Sequence, residues 1–352
     1  MSPGRRFVLA YPGDLDSRTG GYLYDRRLAL ELEARGWTVD RLSLPAGFPF
    51  PSAAELAAAA AAFATLPPGT TVLVDGLALG AMPDAAAACR HVDLVALVHH
   101  PLCLETGLSP AQAAALAASE RAALASARAV VVTSTRTAGS VAELFAVPPE
   151  RLTVALPGTD PAPPAHGSDG DGCRMVCVGT VTPRKGHLVL VEAVAGLRGL
   201  AWELVCAGST TRDPATAAAV ADAVRVHGLE ERVRLVGELE ADALAALYAG
   251  ADLCVSASFY EGYGMALAEA LARGLPIVAA AGGAVADTVP GMAGLLVPIE
   301  DAQALRKALH RFLTEPGLAA SLRRGALAAR EQLPTWSQTA VQVERVLTGS
   351  VP

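Results

Sequence analysis

Short apolar runs rich in β-branched residues alternate with Ala/Leu-rich helical stretches along this chain. That alternation confines it to an α/β architecture with buried parallel strands. The runs fall at 7–10, 71–74, 94–98, 130–133, 175–178, 204–207, 233–236, 253–256 and 277–279. Helical patterns occupy 21–35, 110–127, 188–196, 213–228, 240–249, 266–273 and 302–313. The rhythm breaks once, at Pro157 to Gly172 (PGTDPAPPAHGSDGDG), where Pro, Gly, Asp and Ser crowd together without hydrophobic periodicity. A domain boundary is expected there. The fold class that follows is α/β, with two Rossmann-like domains of parallel sheet flanked by helices facing each other across a cleft. Ligands of such sheets bind beyond the carboxyl ends of the strands.

At 352 residues the chain is long enough for two domains, each burying its own core. Alanine accounts for much of the 52% hydrophobic fraction, and tracts such as 57–62 read as helix-forming rather than membrane-seeking. The start, MSPGRRFVLAYPGD, runs directly into a strand-like segment with no signal-peptide pattern, so a cytoplasmic location is expected. Cys89, Cys103, Cys173, Cys177, Cys206 and Cys254 form no C-x-x-C pair and read as buried free thiols. With 28 basic and 35 acidic residues the net charge is −7, which argues against nucleic acid or an anionic membrane surface as partner. A polyanionic ligand would need local positive charge.

The sharpest segment is Ser258 to Ala272, SFYEGYGMALAEALA. A strand ends, a Gly-containing turn carries Glu261 and Gly264, and a helix starts near Met265 with Glu269 in its first turns. Glycine admits close backbone approach, and a helix N-terminus offers free amides and a positive dipole end, which suits phosphate. Two carboxylates at this spacing can face one side and bind hydroxyls; acidic residues near a helix start are also favoured by the dipole alone. The second segment, VCVGTVTPRKGH, delivers Arg184 and Lys185 to the end of a strand just past Gly179. Such a pair can neutralise a departing diphosphate, or can simply be solvated. In the N-terminal half, Gly20 and Gly21 (DLDSRTGGY) follow the first strand; the pattern is not G-x-G-x-x-G, which removes the main support for a nicotinamide dehydrogenase. His99-His100-Pro101 follows the apolar run 94–98, with no Asp, Glu or Cys ligand set nearby in sequence to suggest a metal.

Taken together these residues resemble the retaining glycosyltransferases of family 4, of GT-B fold, over nearly the whole chain. Glu261 to Glu269 matches that family's E-x7-E motif, joined by Arg184-Lys185-Gly186, His99 and Gly20-Gly21 in the same order. The resemblance implies an acceptor-binding domain over 1–160, a nucleotide-sugar donor domain over 173–335, and a final helix over 336–352 crossing back to the first domain with Trp336 as anchor. Arg184 and Lys185 would hold the donor diphosphate, aided by the amides near Gly264, Met265 and Ala266. Glu261 would bind the donor sugar, Glu269 the ribose, and the base would lie near Gly208 and Gly237. His99, or His100 if the alignment slips by one, would reach toward the sugar, and Gly20 and Gly21 would approach the phosphate. Gly179-Thr180 departs from the family, whose members often carry an arginine after that glycine, so Arg184 takes the arginine role. The implied chemistry is hexosyl transfer with retention, no cofactor and no bound metal, the nucleoside-diphosphate sugar being co-substrate. The alternatives are a sugar-nucleotide epimerase or hydrolase, or a non-catalytic sugar-binding protein. For the acceptor, the helical patterns lack a basic amphipathic face, which favours a soluble small molecule over a lipid carrier.

Overall fold

A computed structural model of the chain describes residues 5–170 and 172–349. Two compact units emerge: one runs up to Gly158 and takes in the segment from Pro334 onward, the other is Thr159–Leu333. Each is built on a six-stranded, wholly parallel sheet flanked by helices.

In the first unit the strands are β1 (Arg6–Pro12), β2 (Thr38–Leu44), β3 (Thr71–Asp75), β4 (Asp93–Val98), β5 (Ala129–Val132) and β6 (Leu152–Val154). They lie in the order β2-β1-β3-β4-β5-β6. The central strands are buried on both faces, which is why β3, β4 and β5 read as unbroken apolar runs. Strand β2, TVDRLSL, sits at the sheet edge and alternates exposed and buried positions, so no apolar run announces it. The C-terminal helix Trp336–Leu347 packs on this unit. Its Trp336 meets Tyr24 edge-on at 5.7 Å, Thr339 donates to Leu156 O at 2.6 Å, and Arg35 pairs with Glu344 at 2.8 Å.

In the second unit the strands are β7 (Cys173–Val178), β8 (Trp202–Ala207), β9 (Val233–Gly237), β10 (Leu253–Ser256), β11 (Ile277–Ala280) and β12 (Gly294–Val297). Their order is β12-β11-β10-β7-β8-β9, so the chain leaves β7 in one direction and returns on its other side at β10. That reversal is a topological switch point, where the loops after β7 and β10 diverge and leave a crevice. The Pro- and Gly-rich stretch packs on this unit: Ala165 is buried in the core, its amide donating to Arg273 O, while His166 N donates to Ala249 O. Among the described residues, no helix is long and apolar enough to cross a membrane.

Candidate functional site

The sequence-predicted residues fall into two groups, one in each unit. In the second unit, Arg184 and Lys185 occupy a single turn of 3-10 helix after β7, and Glu261 lies in the turn after β10. The switch point brings all three together. Lys185 Nζ lies 2.6 Å from Glu261 Oε1, and the nearest Arg184 nitrogen is 3.9 Å from Oε2. Arg184 also donates to Tyr260 O at 2.7 Å, and Phe259 N donates to Arg184 O at 2.8 Å, which ties the two loops along their backbones. Burial would raise the Glu261 carboxyl, but Lys185 and Arg184 outweigh it and hold the group below its ordinary value. The pair thus presents cations beside an ionised carboxylate at the end of the sheet.

Two local features build this geometry. Gly186 turns the chain at φ 65°, and a Cβ there would lie 2.1 Å from Ala257 O, so only glycine lets the two loops close on each other. On the far side of Glu261, Ala284 N donates to Glu261 O at 2.8 Å and Glu261 N to Gly282 O at 3.3 Å. The loop after β11, with Gly282 and Gly283, thereby holds the Glu261 backbone in place. Sequence reasoning passed over this pair, although two glycines after a buried strand are a signal for close approach.

The helix Met265–Ala272 opens on Gly264 with no side chain capping its first-turn amides, Met265 and Ala266 among them. Glu269 sits one turn further in and accepts from Tyr248 Oη at 3.3 Å; burial raises its carboxyl, opposed by Arg273. It does not join the Lys185–Glu261 pair. Gly179 ends β7 with Lys185 beside it: a Cβ at Gly179 would lie 3.4 Å from the Lys185 side chain.

The cysteines are free thiols, as expected, with Cys89, Cys177, Cys206 and Cys254 buried and Cys103 and Cys173 half-buried. Cys177 on β7 and Cys206 on β8 are register partners, and His187, the first residue of the next helix, reaches Cys177 Sγ at 3.8 Å. All three are buried. Strand pairing joins residues that the sequence separates. A hydrogen bond from Cys206, then His187 and Lys185, make Cys177 the more acidic thiol and Cys206 the less.

In the first unit, Gly20 and Gly21 open the helix Gly20–Ala34, capped by Thr19. Gly21 lies against the ring of His99: a Cβ there would come within 3.3 Å of His99 Cδ2. His99 follows β4, and its Nε2 is 3.0 Å from Asp25 Oδ1 on that helix. His100 sits 3.8 Å from Glu105 instead. Acidic groups far from His99 in sequence join it in the fold: Asp25 and Asp75 each place an oxygen within 4.8 Å of it and of each other. Both are buried. Asp75 ends the buried run of β3, and Asp25 lies on the same helix face as the buried Leu28, Ala29 and Leu32, so each was legible as a polar residue on an apolar face. Burial, then the Asp25 charge, push Asp75 up to about 7. A groove of about 530 Å³ at the ends of β1 and β2 is lined by Asp14, Asp16, Arg26, Arg41 and Ser43 among others.

Residues 172–315 match a family model described as "Glycosyl transferases group 1". A D-inositol 3-phosphate glycosyltransferase of Salinispora arenicola (strain CNS-205) is 33% identical over 221 residues, which are 56% of this chain and 49% of that protein. The chain spans about half the length of the curated relatives it matches. Sucrose-phosphate synthase from Thermosynechococcus elongatus is similar in structure, with a TM-score of 0.82 at 23% identity over 98% of this chain and 99% of that one. HepE from Anabaena, in complex with UDP-glucose, gives a TM-score of 0.76 at 17% identity over 97% and 99%. At these identities the likeness establishes the fold, which is GT-B.

Proposed function

We propose that this chain is a retaining glycosyltransferase that moves a hexosyl group from a nucleoside-diphosphate sugar to an acceptor hydroxyl. The observation that carries this reading is the convergence of Lys185, Arg184 and Glu261 at the switch point of the second unit. It is supported by the family match over the same segment and by a UDP-glucose complex among the structural neighbours.

In this reading Arg184 and Lys185 neutralise the diphosphate as it departs, aided by the uncapped amides at Met265 and Ala266. Glu261, already ionised by its cationic neighbours, accepts hydrogen bonds from sugar hydroxyls, and Glu269 binds the ribose. The bond from the anomeric carbon to the phosphate oxygen breaks and the acceptor oxygen bonds the same face. The acceptor proton passes to the leaving phosphate, so no enzyme nucleophile and no metal take part. The protein contributes orientation and preorganised charge. A soluble polyhydroxylated acceptor suits the Asp14, Asp16, Arg26, Arg41 and Ser43 side chains of the groove in the first unit and the names of the curated relatives.

The test is thermal denaturation with UDP, GDP, ADP and their common sugar conjugates, since a bound ligand raises apparent stability by mass action. One nucleotide should stabilise the wild type, and Lys185→Ala should abolish that shift and lower turnover by on the order of 10². Absence of a shift with every nucleotide would overturn the donor assignment. Acceptor-independent release of the nucleoside diphosphate at the full rate would replace transfer with hydrolysis.

A further inference from the structure

The first unit holds an arrangement that the donor chemistry does not require. Two carboxyls, Asp25 and Asp75, are buried within 4.8 Å of each other and of His99, although like charges at such spacing repel strongly away from water. They come from different elements: Asp25 from the helix after β1, Asp75 from the end of β3, His99 from the end of β4. Asp25 uses one oxygen on His99 Nε2 at 3.0 Å, while its other oxygen is buried with no hydrogen-bond partner. Asp75 accepts from Leu77 N at 2.8 Å. Gly21, whose missing side chain leaves it room, and Tyr24, edge-on at 5.1 Å, lie against the ring, while the Thr133 hydroxyl donates to the backbone carbonyl of His99. The neighbouring His100 is directed to Glu105.

We propose that Asp25 is a positioning residue for His99: it occupies Nε2, fixes the ring against Gly21 and leaves Nδ1 as the nitrogen available to a ligand, while Asp75 sets the negative charge the ring feels. A carboxylate on one imidazole nitrogen settles which nitrogen serves the ligand and favours the protonated ring. Burial lowers the His99 pKa, but the Asp25 carboxylate and hydrogen bond, with Asp75 behind them, reverse the sign and raise it. Asp75, pushed up to about 7, keeps its proton in mildly acidic solution. His99 thereby presents Nδ1 in a fixed direction, suited to a hydroxyl-rich ligand. Its use on a donor sugar rests on the function proposed above; the positioning itself does not.

The experiment follows the imidazole resonances of the full chain labelled at histidine, with His99 assigned by its loss in His99→Gln. In the wild type, His99 should titrate above the ordinary imidazole value and show a second inflection near the Asp75 titration. Asp25→Asn should lower the His99 midpoint by about one pH unit or more. An unchanged midpoint overturns the proposal. Should Asp25→Asn fail to fold, Asp75→Asn decides: it should erase the second inflection, and persistence of that inflection overturns the role of Asp75. Stoichiometric binding of added Zn²⁺ that displaces the Nε2 proton would replace this account with a metal site. None of these readouts needs a donor or an acceptor, so a failed positioning role and a failed transferase reading are told apart. Once a donor is identified, Asp25→Asn should lower kcat per donor-binding site with donor Kd unchanged; counting turnover per titrated donor site removes any loss of folded protein.

Discussion

At the scale of single residues, the site depends on how burial is offset. Glu261 and Asp75 are both buried carboxyls, yet they move in opposite directions. Two cations beside Glu261 hold it ionised, whereas Asp75 has a second carboxyl for a neighbour and keeps its proton up to about 7. The Asp75 shift has a definite consequence for stability. Between its ordinary value of 3.8 and about 7 the folded chain binds more protons at Asp75 than the unfolded chain does, so this group's contribution is full at low pH and is lost as pH rises through that window. Asp75→Asn retains an acceptor for Leu77 N and removes the titration. The denaturant midpoint of the wild type, relative to this variant, should therefore fall between about pH 4 and pH 7 and level off above that. A constant difference across that range would show that Asp75 titrates normally. Glu120, buried and also raised to about 7, adds a slope of the same sign to both proteins and cancels in the comparison.

At the scale of elements, the C-terminal helix Trp336–Leu347 is a structural part of the first unit. Trp336, Ala340, Val343, Val346 and Leu347 form its buried face, and Arg128 donates to Val346 O at 2.9 Å. Thr335 and Gln338 complete a capping box that starts the helix immediately after Pro334. Gly158 lies directly against this start: a Cβ there would fall 2.2 Å from Trp336 N. Trp336→Ala should cost about 3 to 5 kcal/mol through the cavity left beside Tyr24, read as a lowered denaturant midpoint for probes in the first unit. Trp336→Phe should cost less, because part of the edge contact survives. Equal and negligible effects from both would place the helix outside the core.

At the scale of the whole molecule, the chain begins and ends in one unit and makes the other from an uninterrupted segment. Truncation after Leu333 should therefore release the amides of β1 and β5 to hydrogen exchange while those of β7 and β10 remain protected, because the second unit holds its own core. Unchanged protection in β1 and β5 would show that the first unit folds without its terminal helix.

Much of this was legible from the residues in order. The apolar runs that became β3, β4, β5, β7, β8 and β10 declared themselves because strands buried on both faces tolerate little else. The turn from Glu261 to Gly264 and the Arg184-Lys185-Gly186 segment stood out because glycine and charge at a strand's end have few structural uses. Edge strand β2 was invisible, since half its side chains face water. Asp25 and Asp75 were passed over because their meaning lies in their separation from His99, which three different elements set. The same holds for Cys177 with Cys206, joined only by the register of β7 on β8. Local periodicity and turn chemistry, which act over a few residues, determined the α/β class and the positions of the loops. Strand order and burial, which act between residues far apart in sequence, decided that Lys185 meets Glu261 and that His99 meets two acids, because proximity and desolvation exist only once the sheets have formed.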